Sequence, residues 1–158
     1  MEGVLLSVHV LASIVFIGGS AIATSLFPRY APIVAAVPAP AGGAPAEPAP
    51  ERERNRAVAA ALHRISRGYG LFGVIVPVVG IALAVSQGRM GEVWITLSMI
   101  LTAAAGAILA LLICPRQREA LDSPDDGTRL RSLSMLAGVY NLLWAIVVVM
   151  MIVRPGRY

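Results

Sequence analysis

Two histidines and one cysteine are the side chains in this 158-residue chain best suited to hold a metal or relay a proton. His9 is the more informative of them. It stands in "LLSVHVLASIVFIGGSAIATSLF", Leu5 to Phe27, an apolar run long enough to cross a bilayer. An imidazole in that setting is a candidate for haem ligation, metal binding or proton relay. The competing role is a ring hydrogen-bonded to a neighbouring helix, where it fixes the packing. Ser13, Phe16, Ser20 and Thr24 follow His9 on the same helical face. Such a stripe of small polar groups is expected to look into a bundle rather than at lipid.

A second imidazole would suggest b-type haem, but His63 precedes the second apolar run and is expected at the opposite membrane face. With a hydrocarbon core about 30 Å thick, the two rings should stand on the order of 20 Å apart along the membrane normal. They are not expected to share one iron. Haem therefore stays open only through His9, and no residue pattern demands a cofactor. Cys114, alone in the chain, makes neither an intrachain disulfide nor a thiolate cage, and no metal site is expected. The chain has no phosphate loop, no H-E-x-x-H helix, no paired-cysteine motif and no G-x-S-x-G elbow. Glu119, Asp122, Asp125 and Asp126 lack calcium-loop spacing and read as solvated turn residues.

The elements that carry these residues follow from composition. Hydrophobic residues make up 57% of the chain and charged residues 14%, against roughly 25% charged in a soluble domain. Four apolar runs approach or exceed the length a bilayer core demands: 3–27, 68–86, 93–114 and 133–153. The expected fold is all-α, an integral membrane four-helix bundle in a single domain. Residues 28–50 read as a Pro/Ala-rich tether, and "QGRMGE" as a tight turn between the second and third spans. The stretch 115–132 reads as a hydrophilic loop. Pro77 is expected to kink the second span, with Gly80 easing a neighbour's approach. Small residues at Ala103/Ala107, Gly106/Ala110 and Ser134/Gly138 suit close helix packing or a homodimer.

All 13 basic residues are arginines, and ten of them lie in the first and third connections, leaving Arg89, Arg154 and Arg157 on the other side. This bias predicts both termini outside and the two long connections in the cytoplasm. The expected location is a bacterial cytoplasmic (inner) membrane. Segment 51–67 is amphipathic, with Arg52, Arg56, His63 and Arg67 on one face and Val58, Leu62, Ile65 and Tyr69 on the other. It should lie at the cytoplasmic headgroup layer, where Arg52, Arg56, Arg64 and Arg67 meet anionic lipid. The net charge of +4 fits lipid headgroups rather than nucleic acid.

Near the middle of the last span stands Asn141, flanked by Tyr140 and Trp144. Equal rise along two helices places Asn141 level with Ser13, and Trp144 level with His9. His9, Ser13, Ser20, Asn141 and Trp144 are the candidates for an interhelical polar network. No Asp, Glu, Lys or Arg lies centrally in any span, which weakens a reading as an ion-coupled transporter.

The segment "SVHVLASIVFIGGSAIATSLFPRYAP" resembles the first helix of an uncharacterised family of small bacterial inner-membrane proteins. His9, Val10, Leu11, Ala12, Gly18 and Gly19 match its pattern. "ALHRISRGYGLFGVIVPVVG" and "YNLLWAIVVVMMIVRPG" look like later segments of actinobacterial members. More distantly, the His plus Gly-Gly helix is similar to copper-resistance D proteins and HemJ-type protoporphyrinogen oxidases. That resemblance implies a haem-linked role for His9 alone. The leading expectation is a non-catalytic accessory or partner-binding membrane protein. A haem- or metal-binding redox protein built on His9 is the rival, and a small-solute or lipid carrier working around the Pro77 kink is a third.

Overall fold

A backbone that leaves water for hydrocarbon must satisfy its donors and acceptors within its own segment, and this chain does so with helices. The computed structural model describes residues 2–34 and 55–155. Helix α1 (Glu2–Tyr30) is the first crossing. Helices α2 (Arg56–Phe72) and α3 (Ile75–Ser86) form the second, broken by a turn at Gly73 and Val74. The third consists of α4 (Val93–Ala107), a π-helical segment (Ile108–Ile113) and α5 (Cys114–Asp122). Helix α6 (Thr128–Val153) is the fourth. The four stretches Gly3–Tyr30, Arg56–Ser86, Val93–Asp122 and Thr128–Val153 are each long and apolar enough to cross a membrane. This is the architecture of a multi-pass membrane protein, and no strand occurs among the described residues.

α1 is the axis of the packing, touching α2, α3 and α6. α4 leans on α6, while α5 and the π segment close against α2. α3 and α4 hardly meet, although a short turn joins them. The bundle is therefore tight at the end where the α1–α2 and α5–α6 connections lie, and split between α3 and α4 at the end that holds both termini.

Several helices run past the apolar limits read from sequence. α1 passes through Pro28 to Tyr30, where α2 is its main neighbour. The 115–132 stretch is not one loop: residues up to Asp122 are helical and only 123–127 separate α5 from α6. Pro115 falls at the junction of the π segment and α5, inside the continuous third crossing, where it withholds an N–H from the preceding turn. Gln117, Ala120 and Leu121 give α5 a buried face. Segment 56–72 is continuous with the second span rather than laid apart from it. Its buried residues are Ala59, Leu62 and Ser66, whereas Val58 and Ile65 are exposed. The 38–50 part of the tether and Arg52 lie outside the described residues.

Side chains satisfy the helix starts that leave the apolar layer. The Asn55 carboxamide oxygen accepts from the Ala57 and Val58 amides. At α6, Asp125 accepts from Gly127 and Arg129, and Asp126 accepts from the Thr128 amide and hydroxyl at 3.0 and 2.7 Å. The Thr128 hydroxyl, above all, holds the Asp126 carboxyl below its ordinary value. Because the folded value is depressed, this contribution is full above about pH 4 and fades as pH falls through the lowered value. Amide-exchange protection at the start of α6, corrected for intrinsic rates, should therefore fall in acid. In Asp126→Ala it should be low at every pH. Wild-type protection in that variant would assign the cap to Asp125 alone.

Candidate functional site

The turn at Gly73–Val74 interrupts the second crossing shortly before Pro77. Proline denies the Gly73 carbonyl its helical donor. That oxygen accepts instead from Val76, at 3.1 Å, in a tighter turn. Opposite, the third crossing changes to π geometry at Ile108. A π segment swings side chains out of α-helical register and is often found at functional sites. Between these two irregularities lies a cavity of about 370 Å³, within the size range of small-molecule sites. All four crossings line it: Phe16 and Ser20 from α1, Tyr69 and Pro77 from the second, Thr102 and Leu109 from the third, Tyr140 and Trp144 from α6.

Its walls are mostly apolar. Phe16 and Tyr69 stack edge to face at 5.7 Å, as do Tyr140 and Trp144 at 6.3 Å. The Ser20 hydroxyl donates to the Ile17 carbonyl at 2.9 Å, which makes the Tyr140 hydroxyl the donor to Ser20, at 2.7 Å. Both walls are thus held in place without presenting a free charge. The mouth opens sideways, between α3 and α4. Val74, Ile81, Met99, Ala103 and Gly106 line the cavity and are also exposed on the surface of the bundle.

His9 is outside the cavity lining but holds the wall. The ring is buried, and Nδ1 donates to the Val76 carbonyl at 3.2 Å. A carbonyl oxygen only accepts, so Nδ1 bears the hydrogen and Nε2 is bare in the neutral ring. The imidazole lies on Gly80: a Cβ there would stand 2.9 Å from His9 Cε1. Gly80 is thus the place where α1 and α3 can meet with a ring between them. The tie falls on the residue that precedes Pro77, at the bend itself.

No family model, curated protein or solved structure matches this chain. The site is therefore read from its own residues.

The candidates named from sequence do not join into one network. Ser13 donates within α1 to the His9 carbonyl at 2.7 Å. Ser20 meets Tyr140, and Asn141 donates to Ser25 at 2.9 Å. The indole N–H of Trp144 and the carboxamide oxygen of Asn141 have no partner among the described residues. These pairings put Ser20, not Ser13, near the level of Tyr140 and Asn141. Trp144 lies about one turn beyond, toward Phe16. The depth match inferred from sequence is thus displaced by about 10 Å at the helical rise.

At the tight end the structure assembles a group that sequence reading did not single out. His63 Nδ1 donates to Gln117 Oε1 at 3.2 Å, and Gln117 Nε2 approaches Ser66 Oγ at 3.5 Å. Gln117 and Ser66 are fully buried. Arg56 donates to the Leu121 carbonyl at 3.1 Å, while Arg64 and Arg67 are exposed. No spacing or motif in the sequence links these three residues, which come from two different crossings. His9 and His63 hold opposite ends of the bundle. Among the described residues no three His, Cys, Asp or Glu side chains gather at one place.

Proposed function

We propose that this protein is a non-enzymatic binding protein of a bacterial cytoplasmic membrane, a carrier or receptor that holds a hydrophobic molecule among its four spans. The observation that carries the reading is the cavity at the proline break, walled by aromatic pairs and open sideways between α3 and α4. A mouth at that level takes its ligand from the bilayer rather than from water. His9 serves the site as a latch that fixes the bend of α3. The arginine bias supports outward termini, with the two longer connections in the cytoplasm.

Filling the mouth tests the reading. Ala103 is exposed on the cavity rim, so Ala103→Phe should fold and occupy the opening. Wild-type protein moved from detergent into nanodiscs should retain one apolar molecule by native mass spectrometry, and Ala103→Phe should lose it. Equal retention in both would remove the cavity as the binding site.

Orientation is tested separately. In a Cys114→Ser background, Gln87→Cys should react with a membrane-impermeant thiol reagent in intact cells and Ser123→Cys should not. The reverse pattern would invert the topology.

A further inference from the structure

We infer that the molecule held in the cavity is an uncharged 1,4-quinone with an apolar tail, its two carbonyl oxygens accepting from the hydroxyls of Thr102 and Tyr69. The inference rests on the cavity reading above and adds the chemical class of the ligand. The lining decides the charge. None of the described residues that line the cavity is Asp, Glu, Lys, Arg or His. An ionised ligand would bring its charge into hydrocarbon with no counterion, which is strongly unfavourable.

The polar groups that remain are mainly hydroxyls, and two of them are unused. Ser20 and Tyr140 satisfy each other. Thr102 and Tyr69 line the cavity, are half-buried, and have no hydrogen-bond partner among the described residues. Thr102 is the more telling. A hydroxyl in a helix can donate to a carbonyl three or four residues back. Ser7, Ser13, Thr24, Ser86 and Ser134 do so, at 2.7 to 3.0 Å. Thr102, inside α4, does not, and its hydroxyl is left for what enters the cavity. The Tyr69 ring lies on Gly19 and against Phe16, which fixes where its hydroxyl stands.

Spacing sets the shape of the ligand. Gly70 packs on Leu109, where an added Cβ would stand 3.4 Å from Leu109 Cδ2. Tyr69 is therefore close to the level of Leu109. Thr102 precedes Leu109 by seven residues, about 10 Å along the third crossing. The two donors thus come from different crossings and different depths. A molecule with a single polar end, such as a long-chain alcohol, meets only one of them. A 1,4-quinone carries an acceptor at each end of a flat ring, and a hydrogen bond of about 2.8 Å at either oxygen extends it to a comparable span. The two edge-to-face aromatic pairs in the lining suit a flat, unsaturated ring. Its tail leaves past Val74, Ile81 and Met99, which line the cavity and are exposed on the bundle surface.

The test uses full-length protein in nanodiscs, in a Trp94→Phe background that leaves Trp144, a cavity wall, as the only indole. The probe is a 1,4-naphthoquinone with a short isoprenoid tail, and saturable quenching of Trp144 reports its binding. Thr102→Val and Tyr69→Phe each remove one hydroxyl and keep the shape of the side chain. Each should weaken binding about fivefold, the effect of one net hydrogen bond, and Thr102→Ser should bind as the wild type does. A naphthalene with the same tail and no carbonyls should displace the probe poorly, as should a polyprenol of equal tail length. Ala103→Phe, or Gly106→Leu if that variant folds poorly, should suppress the saturable quenching. Displacement by the naphthalene as effective as by the quinone, with binding insensitive to Thr102→Val and Tyr69→Phe, would overturn the quinone assignment. The cavity reading would stand if the filling variants still suppressed quenching. Displacement by the polyprenol at the probe's own concentration would replace the quinone by an alcohol. Absence of saturable quenching in the wild type would also overturn the quinone, and native mass spectrometry would then judge the cavity alone. Saturable quenching that survives both filling variants would overturn the cavity reading itself.

Discussion

Gly18→Ala and Gly19→Ala, neighbours in one apolar helix, should move stability in opposite directions. At Gly18 a methyl group would meet nothing within 4 Å. Alanine there gains its helix propensity over glycine, up to about 1 kcal/mol. At Gly19 the same methyl would press into the Tyr69 ring, with Cζ and Cδ2 at 2.8 and 2.9 Å and Cε2 closer still. The ring cannot swing aside freely, because Phe16 meets it edge to face. Overpacking of this kind typically costs 1–3 kcal/mol. After the propensity gain is subtracted, a net loss of up to about 2 kcal/mol is expected. Because Tyr69 is a cavity wall, Gly19→Ala should also alter ligand retention, and Gly18→Ala should not. Unfolding curves in mixed detergent micelles measure the first effect and native mass spectrometry the second. Two stabilising substitutions would show that α1 and α2 are not in close contact at this level.

The glycine pair illustrates how much was visible in the sequence. Both glycines stood out as a pair, but nothing in the string says that the second has an aromatic ring above it and the first has open space. Period and hydropathy reveal which residues share a face, and they do not reveal which helix comes to that face. For the same reason the four crossings were legible and their ends were not. Apolar length is a property of a segment, whereas the extra turns at Pro28, at Arg56 and through Asp122 depend on neighbours and caps. Pro77 announced the bend. The π segment opposite it has no propensity signature in "ILALLI". Small residues such as Ala103 and Gly106 read as packing surfaces, and the structure sets them on the rim of the cavity. The α2 face misled in another way. Ser66 and His63 turn inward because Gln117 offers a partner, whereas Val58 and Ile65 remain exposed. Where the surroundings are themselves apolar, an apolar side chain has little reason to be inside.

His9→Ala should weaken the bundle by about 2 kcal/mol, and it should also loosen the cavity. The substitution removes a buried ring from the contact between α1 and Gly80, and with it the donor to the Val76 carbonyl. Loss of one interhelical hydrogen bond in a membrane accounts for roughly 0.6 kcal/mol, and the emptied space for the remainder. His9→Gln keeps an N–H that can reach the same oxygen and should cost about 1 kcal/mol or less. The order of the two variants distinguishes a latch from a ligand. A latch is repaired by any donor of suitable length, so His9→Gln should retain, by native mass spectrometry, the bound apolar molecule that His9→Ala loses. A metal or haem iron would need the bare Nε2 that the Val76 bond leaves on the ring, and glutamine would not replace it. A Soret band in wild-type protein from haem-replete cells, abolished by His9→Gln and spared by His63→Gln, would assign His9 to a cofactor. Retained function in His9→Gln with no chromophore in either protein assigns it to the bend beside Pro77.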